Sequence, residues 1–171
     1  MNARSGLSWL AGVHDAITRF GFFCAAVCLV IIVCSYTYEV GARYFFSAPT
    51  TWAASLVSYM LCYLVFLAMP ELTRQRVHIF ISIVLDSMPE RQATRFQHAA
   101  YVVAGLACLL AAAFCLDATI KQYASNISTV SEWRVPKWLL SAAISYGLLS
   151  TGIYYLRHVA SRTPYLTSEA M

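Results

Sequence analysis

Polar and apolar positions alternate along this chain on a long scale. Four stretches run without any Asp, Glu, Lys or Arg: Phe20 to Tyr38, Tyr44 to Pro70, Phe96 to Leu116 and Trp138 to Leu156. A helix needs about 20 mainly apolar residues to cross about 30 Å of hydrocarbon, and each stretch meets that length. Pro49 sits in the turn-like segment SAPTTW, which moves the start of the second span to near Trp52. The pattern therefore predicts an all-α integral membrane protein. It forms a single membrane domain over 1–171, with spans at about 20–38, 52–70, 96–116 and 138–156.

Between the second and third spans lies VHIFISIVLDSMPERQ, apolar at its start but too short to cross a bilayer. On a helix, Val77, Phe80, Ile81, Val84, Leu85 and Met88 form one continuous face, with His78, Ser82 and Asp86 opposite. Strand alternation also fits, since Val77, Ile79, Ile81, Ile83 and Leu85 recur at every second position. A lone strand near lipid, however, leaves backbone groups unpaired at several kcal/mol each. The favoured reading is an amphipathic helix over about 75–88. Arg74 and Arg76 before it, with Arg91 and Arg95 after Pro89, hold it in the plane of the headgroups. Ile79 and Ile83 fall toward its polar side and suit a protein partner there.

Composition agrees with the membrane reading. Hydrophobic residues are 60% of the chain and charged residues 12%, against roughly half and one quarter in soluble domains. The first apolar segment is longer than a signal-peptide core and is followed by no clear small-x-small cleavage site, so it reads as an uncleaved span. Before it, Leu10, Val13 and Ile17 share a helical face beside Asp15 and Arg19, which predicts a surface segment that then turns into the membrane. Arg and Lys in the connections divide eight against four. Arg4, Arg19, Arg74, Arg76, Arg91, Arg95, Arg157 and Arg162 lie on one side, and Arg43, Lys121, Arg134 and Lys137 on the other. The richer side is cytoplasmic by the positive-inside rule, so both termini are expected there. The net charge of +4 is this topology signal plus attraction to membrane phospholipid, and calls for no nucleic-acid partner.

Candidate chemistry is sparse. No Asp, Glu, Lys or Arg falls in the interior of a span, since Glu39, Arg43, Glu71 and Asp117 lie at span ends where snorkelling serves them. A small multidrug exporter, which needs a carboxylate in its first span, is disfavoured. Cys24, Cys28, Cys34, Cys62, Cys108 and Cys115 all lie within spans and form no CxxC, so they read as packing residues. The lines Cys24–Cys28, Ala54–Ser58–Cys62 and Ala104–Cys108–Ala112 are small residues spaced four apart, suited to close helix contact in lipid. Only His98 lies in a span, which does not supply the facing pairs that haem requires. No metal spacing or catalytic constellation appears, so no cofactor, metal or enzymatic activity is expected. Asn126, Ile127 and Ser128 match a glycosylation pattern too common to weigh.

Aromatic and basic residues mark the other interface. Trp52, Trp133 and Trp138, with Tyr44 nearby, form a belt at the side opposite the termini, where Arg134 and Lys137 reach phosphates. Asp117 and Lys121 are an i, i+4 pair that allows the third helix to project past the bilayer.

In this order of features, RYFFSAPTTWAASLVSYMLCYLVFLAMPEL, RQRVHIFISIVLDSMP and WRVPKWLLSAAISYGLL resemble the small membrane subunit of tripartite ATP-independent periplasmic (TRAP) transporters. The likeness runs from about Glu39 to Leu156. The family often has an acidic pair after the second-span tryptophan, where this chain has Ala53 and Ala54. It also often has a Gly-His-Ile run followed by an Asp, where this chain has Val77, His78, Ile79 and Ser82. The resemblance implies a bacterial inner-membrane protein that scaffolds a large TRAP permease subunit. That complex takes up an organic acid with sodium, and a periplasmic solute-binding protein delivers the acid. The residues expected at partner or lipid interfaces are Arg43, Trp52, His78, Phe80, Val84, Asp86, Trp133, Arg134, Lys137 and Trp138. Two other classes stand beside this one: a self-sufficient small transporter or channel, and a four-helix membrane redox protein. The first would move solute when reconstituted alone. The second would show a haem spectrum or a redox-active disulfide.

Overall fold

A computed structural model describes residues 2–48, 50–75, 89–129 and 135–160. Among them are four helices, each long and apolar enough to cross a membrane. They are α1 (Asn2–Phe46), α2 (Ala53–Arg74), α3 (Glu90–Ala124) and α4 (Lys137–Ala160). All four expected spans lie within these helices. The expected in-plane helix over about 75–88 lies outside the described residues, apart from Gln75, which closes α2 by donating its N–H to Glu71 O at 2.9 Å.

Two boundaries differ from the sequence reading. The segment before residue 20 does not turn: it is continuous with the first span, and α1 extends for about 67 Å at 1.5 Å per residue. Of its polar residues, Thr18 is buried against the bundle and His14 and Asp15 are half-buried, while Arg19 is exposed. The second span does not stop at Pro70 either, since α2 runs through it to Arg74. Pro70 has no N–H to give the Phe66 carbonyl one turn back. That carbonyl faces Gly147 of α4, where an added Cβ would stand 2.3 Å from Phe66 O and 2.9 Å from Phe66 Cβ. The helix interruption and the closest helix approach therefore coincide, and only a glycine fits there.

Helix α4 is the hub, packed against α2 on one side and α3 on another, while α1 packs chiefly on α2. Gly152 of α4 meets Leu109 of α3, and Gly105 of α3 meets Tyr155 of α4, so α3 and α4 also approach through small residues. The contact seam of α1 is Thr18, Gly21, Ala25, Cys28, Ile32, Ser35 and Glu39, a four-three repeat of mostly small side chains that are buried or half-buried. This is the spacing of left-handed coiled-coil packing, by which helices associate in lipid without a hydrophobic drive. Ala104, Cys108 and Ala112 lie in the α3 seam as expected, with Ala112 fully buried. Ala54 and Ser58 do not: both are exposed on the outward side of α2.

Gly147→Ala should destabilise the purified protein by about 1–3 kcal/mol, the usual range for overpacking a close contact. Gly12→Ala, where nothing lies within 4 Å, should not. Thermal unfolding in detergent reads both.

Candidate partner and lipid interface

Two polar boundaries frame the helices. At one, Tyr38 and Trp52 bring their rings to 6.0 Å, and Tyr123 meets Trp138 edge-on at 5.6 Å. At the other, side chains of all four helices join in a polar cluster. From Tyr38 to Thr18, Trp52 to Glu71 and Trp138 to Arg157 the rise is about 30 Å, and from Tyr123 to Tyr101 slightly more. That spacing matches the hydrocarbon thickness of a bilayer.

The cluster is built from residues far apart in sequence. His14 Nε2 lies 2.8 Å from Ser150 Oγ, and its ring stacks on Tyr154 at 4.6 Å. The Tyr154 hydroxyl, in a side chain almost wholly buried, is 2.9 Å from Asp15 Oδ1 and 3.1 Å from Thr18 Oγ1. Arg157 donates to the same Asp15 oxygen at 2.7 Å, with its guanidinium 5.2 Å from the Tyr154 ring centre. All but the last of these links tie α1 to α4. On α2, Glu71 is 3% exposed and accepts from Arg74 Nε at 2.8 Å, from Arg74 Nη2 and from Gln75 Nε2 at 2.7 Å. His158 Nε2 is 3.0 Å from Thr73 O, tying α4 to α2, and its ring lies 5.8 Å from that of Tyr101 on α3.

Glu71 was expected at a span end with its charge reaching water. It is buried instead, and a fork of donors takes the place of hydration. Sequence reasoning did not bring His14, Asp15, Thr18, Tyr154, Arg157 and His158 together. One signal was present: Thr18, Gly21, Ala25, Cys28 and Ser35 repeat at seam spacing through the first span, which marks the side of α1 that faces protein.

At the opposite boundary, Arg43 donates to Glu39 at 2.5 Å, with Glu39 buried and the Arg43 side chain 59% exposed. Trp52 is half-buried just before α2, and Lys137 and Trp138 open α4. The structure brings Trp52 to Tyr38 and Trp138 to Tyr123, but Arg43, Trp52 and Trp138 form no single site. The expected interface residues His78, Phe80, Val84, Asp86, Trp133 and Arg134 lie outside the described residues. The α3–α4 connection is pinned by Thr129 N–H to Val135 O at 3.0 Å and Lys137 N–H to Ile127 O at 3.1 Å. Asp117 and Lys121 pair at 2.6 Å, and α3 continues to Ala124 as the sequence predicts. Among the described residues no group of His, Cys, Asp and Glu is arranged to hold a metal.

Burial decides which ion pair matters. Arg74→Gln strands a buried carboxylate and should cost about 3–5 kcal/mol. Lys121→Gln breaks a pair whose side chains are mostly exposed, and should cost at most about 1 kcal/mol. Unfolding of the two purified variants compares them directly.

Comparison with known proteins bears on the whole arrangement. No curated protein matches the chain. The profile described as tripartite ATP-independent periplasmic transporters, DctQ component, matches residues 32–164, a stretch that covers α2, α3, α4 and the later part of α1. The four membrane-spanning helices with their paired boundaries are thus those of a TRAP transporter small permease subunit, and the chain belongs to the DctQ family.

Proposed function

We propose that this subunit is a fixed scaffold for the large permease subunit. The permease moves an organic acid, handed over by a periplasmic solute-binding protein, on a sodium gradient. One observation supports this above others. Asp15, Glu39, Glu71 and Asp117 are each held by a basic side chain of the same protein. A carboxylate already neutralised in this way is a poor ligand for a coupling ion, which needs accessible negative charge near the middle of the membrane. One of these pairs, Asp15 with Arg157, also fastens α1 to α4, as suits a part that stays still while its partner moves. The subunit performs no reaction of its own.

The polar cluster faces the cytoplasm and the Trp52 boundary faces the periplasm of a bacterial inner membrane, following the distribution of Arg and Lys. In a cysteine-free background, Ser5→Cys and Ser168→Cys should react with an impermeant thiol reagent only from the cytoplasmic side. Labelling of either from the periplasm overturns this orientation.

Transport separates the scaffold from its alternatives. Proteoliposomes holding both membrane subunits, with binding protein and a sodium gradient, should accumulate solute. Those with the permease alone should do so poorly, and those with this chain alone not at all. Sodium-driven uptake by this chain alone would overturn the scaffold reading.

A further inference from the structure

The end of α1 at the Trp52 boundary overshoots the membrane. Tyr38 is level with Trp52, and α1 continues from there to Phe46, about 12 Å farther at 1.5 Å per residue. The chain then reverses sharply. Ser47 takes a left-handed backbone, φ 48°, and Ala48 N–H bonds back to Ala42 O at 3.2 Å. On this projecting tip, Tyr44, Phe45 and Phe46 are 78%, 85% and 80% exposed, more than any other large hydrophobic side chain described.

We infer that this tip is a docking knob for an apolar surface of the large permease subunit, outside the hydrocarbon on the Trp52 side. The inference rests on the scaffold reading above and adds the place of contact. Three consecutive helical residues are spread over about 200° of the helix circumference, so no single lipid-facing side accounts for them. Residues that line a membrane interface for the sake of lipid are Trp and Tyr, which carry a polar tip into the headgroups. That role is already filled by Tyr38, Trp52, Tyr123 and Trp138, whereas two of the three tip residues are Phe. A soluble partner that comes and goes fits poorly as well, because surfaces of this apolar character belong to permanent interfaces. The permanent membrane partner of a small permease subunit is the large one.

Two neighbouring features suit the same occupant. An open cleft of about 550 Å³ runs beside the tip, lined by Tyr38, Ala42, Phe46, Thr50, Thr51 and Trp52. It has room for an aromatic or branched side chain from a partner. Arg43, which follows the cleft residue Ala42 in sequence, is paired with Glu39 yet largely exposed. Aromatic anchors beside an arginine are the usual composition of the energetic centre of an interface.

The test uses the complex. Phe45→p-benzoylphenylalanine, in this chain coexpressed with the permease and the binding protein, should on irradiation of native membranes join covalently to the permease. Adducts only with the binding protein, with lipid or with a second copy of this chain, or no adduct, overturn the inference. Phe45→Ser with Phe46→Ser should lower the permease retained on the tagged chain about tenfold or more. The chain alone should stay helical by circular dichroism, and unchanged retention would also overturn the inference. Wild-type chain that retains no permease would remove the scaffold reading itself, and with it the tip's partner.

Discussion

The arrangement of this subunit depends on the clasp between Asp15 and the pair Tyr154 and Arg157. In lipid, helices gain nothing from hiding apolar side chains from one another, so their relative height must be set by contacts that are specific to one register. A carboxylate that accepts from both a buried tyrosine and an arginine is such a contact. Sliding α1 by one turn would carry Asp15 about 5 Å from both donors. The seam of small residues along α1 permits close packing but tolerates sliding, and the clasp does not. With α1 fixed against α4, and α4 against α2 at Gly147, the aromatic boundary about 30 Å away falls level on all four helices.

The two helix junctions solve one problem in different ways. At Pro70 the backbone loses a hydrogen bond inside the membrane, and the freed carbonyl lies where a neighbouring helix comes closest. At Glu71, one residue later, a charge that water would ordinarily solvate is enclosed by Arg74 and Gln75. A defect of the backbone and a charge of a side chain thus sit side by side at the edge of the hydrocarbon. The charge is compensated by neighbours within the protein, and the freed carbonyl is covered by Gly147.

Much of this was legible in the sequence, for a physical reason. Spans are announced by long absence of charge, and the aromatic boundary by Trp and Tyr, because both follow from a solvent that changes abruptly with depth. The extension of α3 past the bilayer was visible in Asp117 and Lys121, which are neighbours along one helix. The α1–α4 part of the polar cluster was not visible, because its partners are separated by well over a hundred positions and nothing local links His14 to Ser150 or Asp15 to Arg157. The N-terminal part of α1 was misread for the same cause. Its polar residues look like the wet side of a surface helix until α4 is placed beside them. Pro70 was read as an end because the charge-free stretch stops before Glu71, and that charge is enclosed by Arg74 and Gln75 as α2 continues.

The clasp also has a consequence for biogenesis. The ribosome delivers Asp15 long before Tyr154 and Arg157, so throughout synthesis of α2 and α3 the first helix carries a carboxylate, a histidine and a threonine without their α4 partners. The Phe66 carbonyl likewise stays uncovered until Gly147 packs against it. The newborn subunit therefore stays chemically incomplete until its fourth helix has entered the bilayer. Chains arrested before α4 then expose unmet polar groups on α1 and α2, the kind of feature by which a membrane protease can tell an unfinished product from a finished one.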